Sequence, residues 1–126
     1  MTVLSAAALE GLDFAGEQNS NFIVVVNDND MSIAENHGGL YKNLKLLRET
    51  DGKAECNLFK AMGLDYLFVK DGNDIPSLIS AFEKVKNINH PVAVHIVTQK
   101  GKGYALAEEN KETWHWCMPF DPETGK

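Results

Sequence analysis

The sequence has little cysteine, and this limits the kinds of protein that it can encode. Cys56 and Cys117 are the two cysteines among 126 residues, and they do not form the closely spaced CxxC pair of a metal or redox site. A disulfide framework and a cysteine-bound zinc are therefore disfavoured, and a reducing compartment is favoured. We expect both thiols to be buried structural residues.

Long apolar runs and clusters of basic residues are also missing. The longest apolar run is residues 22–26, whereas a transmembrane helix needs about 20 apolar residues. The first residues do not resemble a signal peptide, so we expect a cytoplasmic protein that does not bind membranes. Lys and Arg number 12 against 18 Asp and Glu, giving a net charge of -6, and they are scattered. Nucleic acid is therefore not an expected partner.

What the sequence does contain is an alternation of helical and strand-like segments in a chain long enough for one domain. Helical spacing is present in residues 5–15, with Gly16 as a stop, and around Leu40, Leu44 and Leu47. Two further helices are indicated. The first contains Leu58, Phe59 and Met62 and ends at Gly63. The second is capped by Asp74 and runs through Val85. After Gly103 the segment shows no clear periodicity, and we expect it to be irregular.

Continuous apolar runs at 22–26, 66–69 and 92–97 are typical of strands buried on both faces. The predicted fold class is α/β, with three layers: a mostly parallel sheet and helices on both faces. If strands 22–26 and 92–97 are parallel rather than antiparallel, Val24, Val26, Val94 and Ile96 should be among the most buried residues. His95, inside the third strand, and His90 are interpreted as structural residues.

Two polar loops follow strands in this scheme. The run Asn27 to Asp30 follows the first strand, and Thr98 to Gly103 follows the third. Parallel sheets bind their ligands beyond the carboxyl ends of the strands. Both loops should therefore open at the same edge of the sheet.

The run after the first strand carries hard oxygen donors. An EF-hand loop that begins at Asp28 would need Gly and Glu where Ile33 and Gly39 stand, and the P-loop and GxGxxG patterns are absent. The side chain of Asn29 and the carbonyl of Met31 remain as donors that magnesium accepts, together with ligand phosphates. The alternative is a turn rich in Asn and Asp that only ends the strand.

Four stretches of the sequence carry a family resemblance. These are NSNFIVVVNDNDMSIAEN, KDGND, VAVHIVTQKGKGYALAEENKETWH and FDPETGK. Together they resemble the 1-deoxy-D-xylulose-5-phosphate synthases, transketolase-like enzymes that depend on thiamin diphosphate. The resemblance runs from about Ala8 to the C-terminus, and the NDNDMSI and KGKGYALAE wordings are closer to the synthase than to other transketolases.

The resemblance implies the site residues and the reaction. Asn29 and Met31 would bind magnesium and, with Ser32 and Lys100, the cofactor, and His115 would act in the active site. The complete enzyme would be a homodimer that condenses pyruvate with glyceraldehyde 3-phosphate and releases carbon dioxide. From the residues alone, Lys100 could instead be a surface lysine, and His115 could be a ring packed between Trp114 and Trp116.

The sequence also departs from the family. A Gly-Asp-Gly triplet, whose Asp is the charged magnesium ligand, stands about thirty residues before the final Asn in the family pattern, and counting back from Asn29 places it at or before Met1. The segment between Leu40 and Leu58 is shorter than in most of the family, and His37 stands where a small apolar residue is common. The shorter segment and His37 predict a substrate entrance that differs in shape from that of the family, and they leave Asn29 and the loop of Lys100 unchanged.

The chain is therefore interpreted as the C-terminal part of a diphosphate-binding domain, residues 1–126, without the pyrimidine-binding and C-terminal domains. The fold implied is a partial thiamin diphosphate-binding fold. Two alternatives stay open: a non-catalytic interaction or regulatory remnant of such an enzyme, and a transketolase-type enzyme with another sugar substrate. Self-association through exposed sheet edges is expected in either case.

Overall fold

Three parallel strands form the centre of the structure. The computed structural model of the protein describes residues 6–18, 20–32 and 36–126. The strands are β1 (Ile23–Asp28), β2 (Asp65–Val69) and β3 (Val92–Val97), and they lie in the order β1-β3-β2. Val92 is level with Ile23 on one side and with Asp65 on the other. The predicted parallel pairing is confirmed, and the antiparallel alternative is wrong.

Helices cover both faces of this sheet, so the three-layer α/β prediction is confirmed. Helices α1 (Ala6–Glu17), α2 (Gly39–Glu49) and α3 (Leu58–Ala61) lie on one face, and α4 (Ile75–Val85) lies on the other. The first layer buries Leu12, Leu44, Leu47 and Phe59 against Val26 and Ala93. The second layer buries Ala81 and Val85 against Val69, Val92, Val94 and Ile96.

Burial follows the position of each strand in the sheet. Val26, Val94 and Ile96 are buried as predicted. The prediction for Val24 is wrong, because Val24 is only half-buried. β3 is the central strand, so its residues are covered from both sides, and Ala93 and His95 have no exposed surface. β1 lies at the side of the sheet, and its Val25 is 46% exposed.

The predicted glycine stop at Gly16 is wrong, because α1 continues through it to Glu17. A Cβ atom at Gly16 would lie 1.8 Å from the carbonyl oxygen of Met62. The backbone of α1 therefore contacts the turn after α3 at this position. Close approach, rather than the end of a helix, is the reason for glycine here.

Two other predicted boundaries change. β1 includes Asn27 and Asp28, which were predicted as loop, because the N–H of Thr98 donates to the carbonyl of Asp28 (2.9 Å) and prolongs the pairing with β3. The segment after Gly103, predicted as irregular, contains α5 (Ala105–Glu109) and a 3-10 helix (Thr113–His115). Their lengths, five and three residues, are too short to give a periodic signal.

The expectation that both cysteines are buried is wrong. Cys56 and Cys117 are free and exposed. Each lies in an irregular segment outside the two packed layers. Within the described parts of the chain, no helix has the length and apolar character to cross a membrane.

Candidate functional site

The carboxyl ends of β1 and β3 bring the two predicted ligand loops together. Asp28 and Val97 are paired in register at the ends of these strands. The hydroxyl of Thr98 donates to Oδ1 of Asn27 over 2.6 Å and so links the two loops directly. The prediction that both loops open at one sheet edge is confirmed.

The residues after β1 form a tight turn held by side chains. The N–H of Asp30 donates to Oδ1 of Asp28, and the N–H of Met31 donates to Oδ1 of Asn29, each over 3.1 Å. Asp30 has a φ of 61°, a left-handed conformation that Asp tolerates better than most residues. The alternative of an Asx turn is therefore what the backbone adopts. It leaves Asn29 Oδ1 with a second acceptor position, so the turn does not exclude a metal ligand there.

Asp28 is a buried carboxylate with three kinds of donor around it. Oδ2 accepts from Arg48 NH1 (2.6 Å) and from His95 Nε2 (2.9 Å), and Oδ1 accepts from the N–H of Asp30. Burial by itself raises the pKa of Asp28, but the hydrogen bonds from His95 and Arg48 and the charge of Arg48 outweigh it and hold the pKa below its usual value. Asp28 is therefore ionised at neutral pH.

His95 and Tyr66 continue this network into the core. The Tyr66 hydroxyl lies 2.7 Å from His95 Nδ1. An ionised carboxylate only accepts, so His95 Nε2 donates to Asp28, and in the neutral ring Nδ1 accepts from Tyr66. Burial, and then the charge of Asp28, raise the pKa of Tyr66 well above its usual value, which keeps the phenol protonated. His95 thus joins β2, β3 and β1, in line with its interpretation as structural.

Arg48 of α2 contacts both carboxylates of the Asn-Asp-Asn-Asp run. NH1 binds Asp28, and NH2 binds Asp30 Oδ1 over 2.5 Å. The Arg48 side chain is 15% exposed, so this pairing is only partly screened by water. Both acidic groups of the run are consequently directed to Arg48.

Lys100, Ser32 and His115 are brought together by the loop after β3. Lys100 Nζ donates to the carbonyl of Ser32 and to Nδ1 of His115, each over 2.9 Å. Because an ammonium group only donates, Nδ1 is the acceptor, and the proton of the neutral ring is on Nε2. His115 is exposed. In the described residues the ring contacts of this segment join Tyr104, Trp114 and Phe120. The alternative that His115 is a ring packed among aromatics is therefore not what the described contacts show.

A cleft of about 550 Å³ opens beside the turn. Asn29 and Met31 line it together with three lysines. Its described lining residues are Asn29, Asp30, Met31, Asn36, His37, Gly38, Tyr41, Lys42, Lys45 and Lys111. Lys100 and His115 are not among them, so the predicted site residues fall into two neighbouring groups rather than one pocket.

The oxygen donors of the turn fit part of the coordination sphere of a magnesium ion. Asn29 and Met31 offer neutral oxygens, and magnesium completes its six positions with phosphate oxygens and water. The described residues contain no group of three or more His, Cys, Asp and Glu side chains that could hold a metal ion. The described residues therefore offer candidate oxygen donors for magnesium, but no cluster of acidic or histidine side chains that would enclose the ion.

Sequence reasoning missed Asp28 and Arg48. Asp28 belonged to the quoted polar run but was treated as one loop residue among four, although its even spacing from Val24 and Val26 directs it to the same buried face. Arg48 stands 20 residues further on, and no local pattern relates the two. His95 inside an apolar strand was the available signal that a buried partner existed.

The fold and the candidate site define a class of protein: an α/β domain whose parallel sheet has a polar end with oxygen donors and lysines. A sequence model described as 1-deoxy-D-xylulose-5-phosphate synthase matches residues 2–56 and 49–98. This chain belongs to that family.

Curated relatives agree with this assignment. The chain is 42% identical to the 1-deoxy-D-xylulose-5-phosphate synthase of Listeria monocytogenes serotype 4b, with 94% of the chain and 20% of the relative covered. It is 37% identical to the synthase of Syntrophotalea carbinolica, with 94% and 24% covered. The synthase of Clostridium beijerinckii is 35% identical, with 94% and 25% covered. The chain thus spans about a fifth to a quarter of these relatives.

The alignment lengths bear on the short segment between Leu40 and Leu58. The alignments with the Syntrophotalea and Clostridium proteins extend over 155 and 154 residues, more than this chain contains, whereas the Listeria alignment extends over 125. The family model is also matched in two separate stretches, which overlap at residues 49–56 of this chain. Most relatives here therefore carry extra residues, but the Listeria protein shares the shorter form.

Proposed function

We propose that this chain supplies the magnesium- and diphosphate-binding edge of a thiamin diphosphate-dependent transferase. The complete protein would condense pyruvate with glyceraldehyde 3-phosphate to form 1-deoxy-D-xylulose 5-phosphate and carbon dioxide. The chain would be part of the diphosphate-binding domain. Family membership supports the reaction, and the edge geometry supports the role of this chain.

One observation carries the proposal: Lys100 reaches Ser32 and His115 at the edge where the Asn29–Met31 turn lies. A lysine in a glycine-flanked loop can bring a positive charge to a diphosphate. Gly101 has a φ of 79°, which glycine adopts without strain. The cleft that Asn29 and Met31 line also contains three lysines, which add positive charge beside the turn: Lys42, Lys45 and Lys111.

Each residue would have a defined task. Asn29 and Met31 would hold magnesium through an amide and a carbonyl oxygen, and Lys100 would pair with the diphosphate. His115, with its Nδ1 held by Lys100, would present Nε2 for hydrogen bonding. The cofactor, when bound, supplies the carbanion that attacks pyruvate and stabilises the product of decarboxylation. The residues of this chain would fix its position.

A titration followed by two-dimensional NMR tests the proposal, because chemical shifts detect weak binding. Thiamin diphosphate with magnesium should shift the backbone amide signals of Asn29 to Ser32 and of the Lys100 loop. Asn29→Ala should remove the magnesium-dependent part of the change, and Lys100→Ala should remove the diphosphate-dependent part.

Lys102→Ala is the matched control, since Lys102 lies in the same loop and is exposed. In this variant, thiamin diphosphate and magnesium should cause the same chemical-shift changes as in the unmodified chain. Shifts that spread evenly over the surface, or that survive both Asn29→Ala and Lys100→Ala, would contradict the proposal.

A further inference from the structure

One side chain from outside the turn, that of Arg48, binds both of its carboxylates. Arg48 lies on α2, 18 residues beyond Asp30 and 20 beyond Asp28. One nitrogen of its guanidinium binds each carboxylate, over 2.6 Å and 2.5 Å. The two carboxylates flank Asn29 in the chain, so Arg48 spans the turn.

The environment of the two carboxylates differs. The side chain of Asp28 is 4% exposed, whereas that of Asp30 is 64% exposed. Asp28 is also fixed by His95, which is fully buried in the central strand. Asp28 is therefore the more firmly held of the two carboxylates. Because Arg48 binds both, it ties exposed Asp30 to buried Asp28.

The backbone between these ends is in a conformation that needs support. Asp30 has a φ of 61°, and a left-handed residue without a supporting contact readily returns to commoner conformations. Its N–H is bound by Asp28, and its carboxylate is bound by Arg48. Loss of the Arg48 side chain would remove the contact with the Asp30 carboxylate. It would also weaken the hydrogen bond from the Asp30 N–H, because Asp28, which accepts it, would lose a partner.

We propose that Arg48 is a positioning residue that sets the oxygen donors of the Asn29–Met31 turn by holding the carboxylates of Asp28 and Asp30 on one guanidinium. The consequence for ligand binding rests on the proposed function. With one oxygen of each carboxylate bound to Arg48, the Asn29 amide oxygen and the Met31 carbonyl oxygen are the donors that the proposed function assigns to the turn. Lysine cannot replace arginine here, because one ammonium is a point donor without the planar fork that serves two carboxylates.

Amide hydrogen exchange measured by NMR tests the hold on the turn without any ligand. In Arg48→Met, the amides of Asp30 and Met31 should exchange at least about tenfold faster relative to β3 amides such as Val94. Arg48→Lys should give a smaller change in the same direction. Lys84→Met is the control, since Lys84 is exposed on α4, which packs on the other face of the sheet, and it should change neither amide.

Arg48→Met also removes a partner from a buried carboxylate, so it is compared with a second variant. Asp30→Asn weakens only the exposed end, and it should loosen the same two amides while β3 stays protected. Unchanged exchange at Asp30 and Met31 would overturn the proposal. An equal acceleration at all amides would also overturn it, because Arg48 would then only stabilise the fold.

Mn²⁺ with thiamin diphosphate gives a second readout, because a bound paramagnetic ion broadens nearby signals. Broadening at Asn29 and Met31 in the unmodified chain that changes in Arg48→Met, where the freed carboxylates of Asp28 and Asp30 compete for the ion, would support the proposal. Equal broadening in both would overturn it. Absence of broadening even in the unmodified chain would count against the proposed metal function, while the exchange data would still decide whether Arg48 holds the turn.

Discussion

At the scale of single residues, Asp28 shows how a charge is accommodated at the end of a strand. The residue is 6% exposed, and a buried carboxylate without partners would be strongly destabilising. Arg48, His95 and the N–H of Asp30 together satisfy both of its oxygens. Such a site contributes to specificity of structure more than to net stability, because desolvation offsets much of the attraction.

The Tyr66 hydroxyl can be removed without changing the shape of the core. Tyr66→Phe would leave Nδ1 of the fully buried His95 without its 2.7 Å partner. An unpaired buried polar atom costs about 1–3 kcal/mol, and we expect the free energy of unfolding to fall by that amount at neutral pH. Urea unfolding measures it. Tyr41→Phe is the control, since its half-buried ring packs at the edge of the same layer, and its unfolding energy should change little.

The same variant predicts a pH dependence. The folded pKa of Tyr66 is raised, so the folded state keeps the phenol proton at a pH where the unfolded state loses it. The stabilisation is complete below the unfolded pKa of about 10 and decreases as the pH rises above it. From about pH 9 to pH 11 the unmodified chain should therefore lose stability more steeply than Tyr66→Phe. If the free energy of unfolding falls equally with pH in both proteins, the raised pKa of Tyr66 is contradicted.

At the scale of elements, helix α1 offers a matched pair of glycines. Gly16→Ala would place a Cβ 1.8 Å from the Met62 carbonyl oxygen, whereas nothing lies within 4 Å of a Cβ at Gly11. Gly11→Ala should stabilise the protein by about 0.5–1 kcal/mol through helix propensity. Gly16→Ala should destabilise it, because backbone must move to make room. Thermal unfolding of both variants gives the comparison, and a stabilised Gly16→Ala would show that α1 can shift freely.

The elements were predictable where one segment contains its own signal. Asp74 caps α4 by accepting from the N–H of Ser77 over 2.8 Å, and it was identified from sequence because a cap and its helix are adjacent. The parallel sheet followed from three apolar runs. Gly16 was misinterpreted because its contact, Met62, lies on another element. The Arg48–Asp28 pair was missed for the same reason: long-range partners leave no periodic trace.

The candidate site was predictable through resemblance more than through spacing. Lys100 and His115 stand 15 residues apart and are joined at 2.9 Å in the structure, a contact that no periodicity indicates. The family resemblance predicts a place near the cofactor for Lys100 and an active-site role for His115, and both stay predictions. The assignment of Asn29 and Met31 as metal ligands stays a prediction.

At the scale of the whole molecule, β1 exposes apolar surface. Among the described residues β1 pairs only with β3. Phe22, just before β1, and Val25, within it, are 51% and 46% exposed. An open strand edge with apolar side chains favours pairing with another chain.

We therefore expect the chain to self-associate in solution. Val25→Lys should shift the equilibrium towards monomer, because a charge on an edge strand opposes pairing. Met118→Lys, at an apolar residue that is 67% exposed in the C-terminal segment, is the control and should not. Sedimentation across a concentration series measures both. A monomer at all concentrations in the unmodified chain would contradict the prediction.

The affinity of this chain for the cofactor should be low. Asn29 and Met31 would be neutral ligands, and the neighbouring carboxylates of Asp28 and Asp30 are bound to Arg48. Magnesium gives up water reluctantly and is usually held by at least one carboxylate. Lys100 is partly exposed, and one such ion pair contributes at most about 1 kcal/mol, against roughly 8 kcal/mol for micromolar binding. Calorimetry with thiamin diphosphate and magnesium should therefore give a dissociation constant weaker than micromolar, and no turnover of pyruvate should be detected.

The comparison that isolates the cause is the same chain joined to a family segment that carries the Gly-Asp-Gly carboxylate. If the charged ligand is what the described residues lack, this longer protein should bind the cofactor more tightly in magnesium than in its absence, and Asn29→Ala should remove the difference. Micromolar, magnesium-dependent binding by the shorter chain, abolished by Asn29→Ala, would show that two neutral oxygens and one lysine suffice. The electrostatic argument would then be wrong, because tight binding would not need a charged protein ligand while Arg48 holds the neighbouring carboxylates.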